Sequence, residues 1–461
     1  MARDETNRRT FLGAMLGVAA SPLMGIGEAQ GARRKKDNAC ARAVPAHELG
    51  LRPDPVLDQS AAFARALRRA ATLGMPLRLP GGDVVVGDVE LNAPVRIVGE
   101  DDARLVCAPG ARRLLRVRGA EARLEGVRVN GARQRPTDPR EDALGLLSFE
   151  DMRAVRLRDC VIVGAGGNGL TLERCAGVRV EGAAIRQAAE AAIFALDCRD
   201  AQIVRNDIAE CGNGGILVWQ SEKRHDGALV ALNHIRDIRA DAGGSGQNGN
   251  GVNVFRAGGV RVVDNDIAGC AFSAVRNNSG DEVVIARNLC RRLGEVAIFV
   301  EFAFFKALVA SNLIEGAAAG ISVTNMREGG RLATVTGNIV RDVAPVRGNE
   351  GEEGFGIAAE ADTTITGNVV ERAARYALAL GWGPYLRNVT ASGNVVREAP
   401  VGVAVSVVKG AGSAVITGNT FEHVRRAVVG YEHTRRVTGD LVGARKRPRN
   451  VMLSGNVVKR G

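Results

Sequence analysis

A chain of 461 residues that is 46% hydrophobic, only 4% aromatic and holds 58 glycines has the composition of many short strands and turns, which excludes large aromatic cores. Its formal charge of +11 favours acidic partners such as uronate polysaccharides, although arginine used as a general surface residue would give the same sum. No zinc-finger, homeodomain or RNA-reading signature accompanies that charge, which argues against nucleic acid, and no Cys/His set has zinc spacing.

In chain order, the first element is an export signal. "NRRTFLG" places Arg8 and Arg9 before Phe11 and Leu12, and an apolar stretch then runs to about Ile26, with small residues near Ala29. Gly13, Gly17, Pro22 and Gly25 interrupt that stretch, and it falls short of the about 20 residues a membrane anchor needs. Residues 1–29 are therefore expected to be a signal and 30–56 a linker. Residues 57–461 are expected to form one domain, with no membrane partner once the signal is removed.

"LDQSAAFARALRRAATLG" predicts a helix over 57–74, with Asp58 or Ser60 as N-cap, Phe63, Ala66, Leu67 and Ala70 on one face and Gly74 as terminator. "PLRLPGGDVVVGDVELNAPVRIVGE" opens irregular first coils over 75–135, and from 143 the pattern becomes regular. "TVTGNIV" from Thr334 returns as "TITGNVV", "TASGNVV", "VITGNT" and "MLSGNVV". Matching asparagines stand at 206, 233, 265, 288, 312, 338, 368, 394, 419 and 456, never closer than 23 residues. Such intervals with a fixed apolar register mark a solenoid.

Two residues beyond each Asn lies an apolar residue, from Ile208 to Val458, and five beyond lies another, from Cys211 to Val424; both sets should face inward. Each unit then carries a strand of the form Gly-Ile-x-Val, as in "GILV" at 215 and "GISV" at 320. Short period-two segments are strands, and one stacked coil per repeat is the economical arrangement. Asn suits the corner because its amide both donates and accepts, and because it tolerates left-handed backbone. The minimum period extends the ladder upstream to Ala183 and Cys160 and stacks Cys175 on Cys198. Eight cysteines in an exported chain suggest disulfides, but folding in a reducing cytosol before export favours small buried thiols.

The short helix followed by "LRLPGG" and irregular coils resembles the start of right-handed parallel β-helices of the pectin-lyase-like superfamily. With the paired arginines, the Gly-Asn coils resemble the twin-arginine-translocated repeat family, which has no established reaction. The resemblance implies an all-β right-handed parallel β-helix of about a dozen or more coils. It also implies the twin-arginine export machinery as a partner and a periplasmic or secreted protein; a monomer is expected.

If the Asn corner corresponds to the asparagine-ladder corner of pectate-lyase-like helices, the resemblance implies that the Gly-Ile-x-Val strand carries the groove. Here its first outward column is read as including Asn253, Val275 and Phe299, and its second as Glu150, Glu173, Leu196, Trp219, Phe255, Asn277, Glu301, Thr324, Glu360, Gly381, Ser406 and Tyr431. Trp382, Tyr385, Gln220, His225, Asp226, Arg256, Asn325 and Arg327 fall in the turns just after that line, and Arg276 sits beside it. Exposed rings beside cations suit sugar faces and uronate carboxylates, so Trp219, Gln220, Asn253, Phe255, Arg256, Asn277, Asn325, Arg327, Trp382, Tyr385 and Tyr431 are the expected substrate-binding residues. The plainer reading is rings packed under neighbouring loops.

For chemistry, Arg256 or Arg276 would bind a uronate, His225 or an arginine would take its C5 proton, and Glu301 or Asp226 would orient the base, giving β-elimination or epimerisation. His225, Asp226, Arg276 and Glu301 are the catalytic candidates, although a single such histidine is more often a loop residue. A hydrolase would need paired carboxylates about 5–9 Å apart, for which Glu301 with Asp226 or Glu150 with Glu173 are the available pairs. The Asn-Thr-Asp and Gly-His-Gly signatures of polygalacturonases are absent. No cofactor is expected; Glu350, Glu352 and Glu353 could gather Ca²⁺, but their spacing fits a solvated turn better. The expectation is thus an exported protein that binds or processes an acidic polysaccharide by a lyase or C5-epimerase type of reaction. A non-catalytic envelope module for glycan or protein is the alternative.

Overall fold

The computed structural model describes residues 42–100, 102–134, 144–244, 246–346 and 354–459. The signal at 1–29 and the acidic turn of Glu350, Glu352 and Glu353 lie outside these residues. From Val44 the chain winds as a right-handed parallel β-helix, the fold expected from the repeat.

Each regular coil has three strands and three corners. The strands that end at the Asn corner, such as Phe305–Ala310, Arg331–Thr336 and Ala361–Thr366, stack into a 16-stranded first sheet. Short strands after the Asn, such as Asp207–Ala209 and His234–Arg236, form a second face. The Gly-Ile-x-Val strands, among them Ala191–Leu196, Gly214–His225, Asn250–Gly258 and Val275–Asn278, form a third. Leu289–Glu301 and Leu313–Val323 run through the corner between these two faces without a break. The glycine that opens the third strand is required by close approach: a Cβ on Gly215 would lie 2.2 Å from the Gly251 carbonyl oxygen of the next coil.

The asparagines form a continuous ladder. Asn288 Nδ2 donates to Asn312 Oδ1 at 3.0 Å, Asn312 Nδ2 to Asn338 Oδ1 at 3.0 Å, and Asn338 Nδ2 to Asn368 Oδ1 at 2.9 Å, in a chain of contacts from Asn206 to Asn456. Each Oδ1 also accepts the backbone N–H of the preceding Asn, and each Nδ2 also donates to a strand carbonyl, as Asn312 does to Ile285 O at 3.0 Å. A buried amide with every polar atom partnered is stable there; one without partners would not be. Ala183 N donates to Asn206 Oδ1 at 2.9 Å, so the ladder reaches one coil upstream, as expected.

One detail differs from the sequence reading. The left-handed residue at this corner is the one before the Asn: Gly337, Gly367, Gly393, Gly418 and Gly455 have φ near 63°, and Arg205, Leu232, Asp264, Arg287 and Ser311 adopt the same conformation without being glycine. That geometry costs a residue with a Cβ roughly 1–2 kcal/mol, partly offset by glycine's larger chain entropy. Leu232→Gly, at φ 58°, is therefore expected to raise stability by about 0.5–1 kcal/mol, measured as an upward shift in the urea midpoint.

The inward columns fill the core as the register requires. Ile208, Ile235, Ile267, Cys290, Ile314, Val340, Val370, Val396 and Phe421 are fully buried, and so are Cys211, Ile238, Cys270, Leu293, Ala317, Val343, Ala373 and Ala399. All seven described cysteines are buried free thiols, Cys175 and Cys198 included. Burial pushes Cys107, Cys160 and Cys270 up to about 12 and Cys211 to about 11. The neighbouring Cys198 thiol lowers that of Cys175, which burial alone, at 2% exposure, keeps from reagents; an alkylating reagent at pH 8 should therefore modify at most Cys40 in the folded protein and all eight cysteines only in denaturant.

The helix spans Ser60–Thr72, with Phe63, Ala66, Leu67 and Ala70 buried against the first coils. The N-cap is Gln59, not Asp58 or Ser60, and it makes no side-chain cap bond; Asp58 Oδ1 accepts the Ser60 N–H at 2.9 Å just ahead of it, and Gly74 takes the left-handed conformation that ends the helix. The expected linker is shorter than its reading: Val44–Pro45 already pairs with Leu77–Arg78, and Asp54–Asp58 pairs with Gly82–Val86. Pro45 and Pro55 sit in these two outermost strands, where a missing N–H discourages further pairing.

Candidate functional site

The outward face of the third sheet is built by register. Leu196 pairs with Trp219, Trp219 with Phe255, Phe255 with Asn278, and Asn278 with Glu301. The first column runs Phe194, Leu217, Asn253, Arg276, Phe299 and Ser322. This corrects the sequence reading by one residue over 275–278. Val275 and Asn277 point inward, and the fully buried Asn277 amide donates to Gly280 O at 3.1 Å and accepts Gly280 N–H at 3.1 Å. Asn277 closes a turn and is not on the outward face; Asn278 takes its place.

Three rings line up on this face. Phe194 and Trp219 meet edge to face with centroids 5.3 Å apart, and Trp219 and Phe255 are tilted at 5.6 Å. Trp219 and Phe255 are half-buried and keep part of each ring in water. Trp219 Nε1 donates to Asn253 Oδ1 at 3.3 Å, while Asn253 Nδ2 donates to Gly246 O at 2.9 Å, so Asn253 ties the chain at 246–249 down as one wall. The exposed Arg256 guanidinium lies 4.7 Å from the Phe255 centroid and donates to Ser221 O at 2.8 Å.

The opposite wall is the end of the Gly214–His225 strand, which leaves the ladder after Trp219. Ser221 N and Oγ donate to Asp197 at 2.8 and 2.7 Å, and Lys223 Nζ reaches Asp281 Oδ1 at 2.7 Å. This excursion decides where three expected site residues fall. Gln220 is fully buried, donating to Cys198 O at 2.8 Å and Asp226 Oδ2 at 2.6 Å. Asp226 also accepts Ala228 N–H at 3.0 Å and is 1% exposed, and burial raises its carboxyl to about 6. Both belong to the coil turn, not to the groove. His225 is exposed at the corner, its ring packed over Gly259.

Arg276 and Glu301 do meet. Arg276 Nε and Nη2 donate to the two carboxylate oxygens of Glu301 at 2.7 and 2.9 Å, Nη1 donates to Glu295 Oε2 at 3.1 Å, and the guanidinium stacks 4.7 Å from the Phe299 centroid. Asn278 Nδ2 adds a 3.3 Å bond to Glu301 Oε1. Arg276 is 5% and Glu301 3% exposed. Burial holds the Glu301 carboxyl above its ordinary value while Arg276 pulls it back down. Both carboxylates bond one guanidinium, which places them within about 8 Å of each other, inside the range that paired acids use. The sequence reading missed Glu295, which lies at the corner before the strand.

The alternative carboxylate pair is bound differently. Glu150 and Glu173 are register neighbours, but Arg116 grips Glu150 through two bonds of 2.6 and 2.7 Å and Arg118 adds a third at 2.9 Å. Asn325 is a left-handed corner residue that accepts the Phe302 N–H at 2.9 Å, and Arg327 is exposed beyond it. Farther along the face, Trp382 stacks edge-on with His433 at 5.6 Å and Tyr376 with Tyr431 at 5.2 Å around a small cleft floored by Ala379 and Ala404. Tyr385 bridges to Trp382 through the turn. Tyr376 and His433 were not expected; the register places Tyr376 one pair before the column that was read. Among the described residues no three His, Cys, Asp or Glu side chains are placed to hold a metal, and no helix is long and apolar enough to cross a membrane.

Comparison with known proteins agrees on the class. The family model for the right-handed beta helix region matches residues 145–340, and the coils together with that match support a pectin-lyase-like fold. No curated protein sequence matches the chain. Among solved structures, tailspike protein 3 of bacteriophage CBA120 is similar over 92% of this chain at 13% identity and a TM-score of 0.51, the chain spanning 62% of that protein's length. A mannuronic acid specific polysaccharide family 6 lyase from human gut microbiota is similar over 88% of this chain and 91% of its own, at 14% identity and a TM-score of 0.47.

Proposed function

We propose that this protein is an exported polysaccharide-binding β-helix that takes an acidic glycan along the outward face of the third sheet. The observation that carries the reading is the in-register pair Trp219 and Phe255, half open to water between two loop walls and backed by the buried Phe194, with the Arg256 cation beside it. Sugar rings stack on such faces while a guanidinium meets the carboxylate of a uronate. That solved structures of the same fold include a tailspike and a mannuronate lyase sets a context, but the reading rests on the face itself.

Binding without turnover is the better supported form. Of the four catalytic candidates, Asp226 is buried in a turn, and Arg276 and Glu301 occupy each other. A lyase or C5-epimerase centre, if present, would have to open the Arg276 pair with Glu295 and Glu301. Affinity electrophoresis against polygalacturonate, alginate and neutral glucans, run beside an ultraviolet assay for unsaturated uronate, separates the two forms. Retardation in the acidic gels without new absorbance is the expected result; absorbance would establish the lytic form, and no retardation in any acidic gel would end the reading.

A further inference from the structure

The residues that recur as "TVTGNIV" point three side chains outward, Thr334, Thr336 and Ile339, that neither the core nor the glycan face uses. In the first sheet, the column through Thr334 starts as Arg96, Arg123, Arg156 and Arg179. After Arg261 it becomes Val284, Leu308, Thr334, Thr364, Thr390, Val415 and Met452. The column through Thr336 runs Ala286, Ala310, Thr336, Thr366, Ser392, Thr417 and Ser454 over the same coils. Round the corner, Leu289, Leu313, Ile339, Val369, Val395, Thr420 and Val457 continue it. In a chain that is 25% charged, these three columns hold no charged side chain over seven coils.

They also hold much of the exposed apolar surface: Leu308, Leu313, Ile339, Val395, Met452 and Val457 are each 36–56% exposed. Seven coils at about 4.8 Å by some five residues at about 3.3 Å give an area on the order of 500 Å², wrapped over the Asn corner. That exceeds the few hundred Å² of contiguous apolar surface a monomer ordinarily shows and approaches the lower end of what one partner buries in a specific pair.

The order of residues in the first column identifies the occupant. Read from either end it is apolar, apolar, three threonines, apolar, apolar, centred on Thr364. We propose that two copies of this chain pack face to face here, antiparallel, about a two-fold axis lying along the Thr364–Thr366 strand. Thr364 then meets its own copy, Thr334 meets the partner's Thr390, Leu308 the partner's Val415, and Val284 the partner's Met452. Along this column hydroxyls face hydroxyls and aliphatics face aliphatics, and in the next Thr366 meets its own copy and Thr336 the partner's Ser392, as an isologous contact allows. A second copy has the same coil spacing, so side chains interdigitate along the whole face; a partner with another period would fall out of step within a few coils. The net charge of +11 opposes self-association, but the three columns add no charge to it, and Glu282, Lys306 and Asp362 in the column before them are held in ion pairs, Lys306 with Glu282 and Arg387 with Asp362. This departs from the monomer expected from sequence.

Sedimentation equilibrium of the full mature chain, over about 1–100 µM, should show a reversible dimer with a Kd on the order of 10 µM. Thr364→Arg should weaken it at least about tenfold, because the axis brings the two introduced charges together. The fold accepts arginine at this register, since Arg261 and Arg179 occupy it upstream. Under mild oxidation Thr364→Cys should cross-link to itself. Thr334→Cys should not, but should cross-link when mixed with Thr390→Cys. A monomer across the range, a dimer indifferent to Thr364→Arg, or self-linking by Thr334→Cys would each overturn the proposal, and none bears on glycan binding by the third sheet.

Discussion

Arg276→Ala is expected to lower stability by roughly 3–5 kcal/mol at pH 7, because it strands the Glu301 carboxylate in a site with 3% exposure and removes a hydrogen bond from Glu295. The loss should be pH-dependent in a defined sense. Burial already raises the Glu301 carboxyl above its ordinary value of 4.5, and without the guanidinium nothing opposes that rise except Asn278. A raised folded value means stability is present below the unfolded value and lost as pH rises through the folded one. The deficit of Arg276→Ala should therefore be small near pH 4 and grow towards pH 8, measured by urea unfolding followed by circular dichroism. Arg276→Met combined with Glu301→Leu should recover most of the loss, since an apolar pair of similar volume needs no counter-charge. A deficit of equal size at all pH values would show that packing on Phe299, not the buried charge, dominates the site.

The second large effect belongs to the ladder. Asn338→Ala should cost roughly 3–5 kcal/mol, because in a buried corner it takes the acceptor of Asn312 N, one of the two acceptors of Asn312 Nδ2, one of the two donors to Asn368 Oδ1 and the side-chain donor to Val309 O. Asn456→Ala, at the partly buried last rung, should cost about 1 kcal/mol. Coils contact only their neighbours, so the damage should be local: amide exchange should accelerate in the coils around 312–368 before those around 206. Uniform acceleration along the chain would contradict a ladder of independent rungs.

These two sites differ in how far sequence exposed them. The ladder was readable because ten asparagines repeat with a fixed apolar register, and translation by one coil puts like atoms in contact. The Arg276 site was readable only in part. A strict 23-residue step carries Asn253 to Arg276 and Arg276 to Phe299, and following it would have placed Asn278 outward and Asn277 inward. The missing Gly-Ile-x-Val signature at "SAVRNN" hid that register, because an inward Asn occupies the second apolar position. Gln220 and Asp226 were misplaced for another reason: residues 220–223 leave the ladder, and an unrepeated excursion has no register to read. Glu295 sits at a corner, where alternation gives no direction. The left-handed residue before each Asn was hidden because arginine and leucine carry no turn signal.

The central claim, that the third sheet's aromatic row is a glycan platform, is tested most directly by fluorescence. Trp382→Phe leaves Trp219 as the sole tryptophan, at the centre of the row. Titration of that variant with polyuronate oligosaccharides should give a saturable change in Trp219 emission, and adding Phe255→Ala should weaken the affinity by about tenfold or more. An emission that does not respond to any acidic oligosaccharide, in a variant that circular dichroism shows to be folded, would contradict the account.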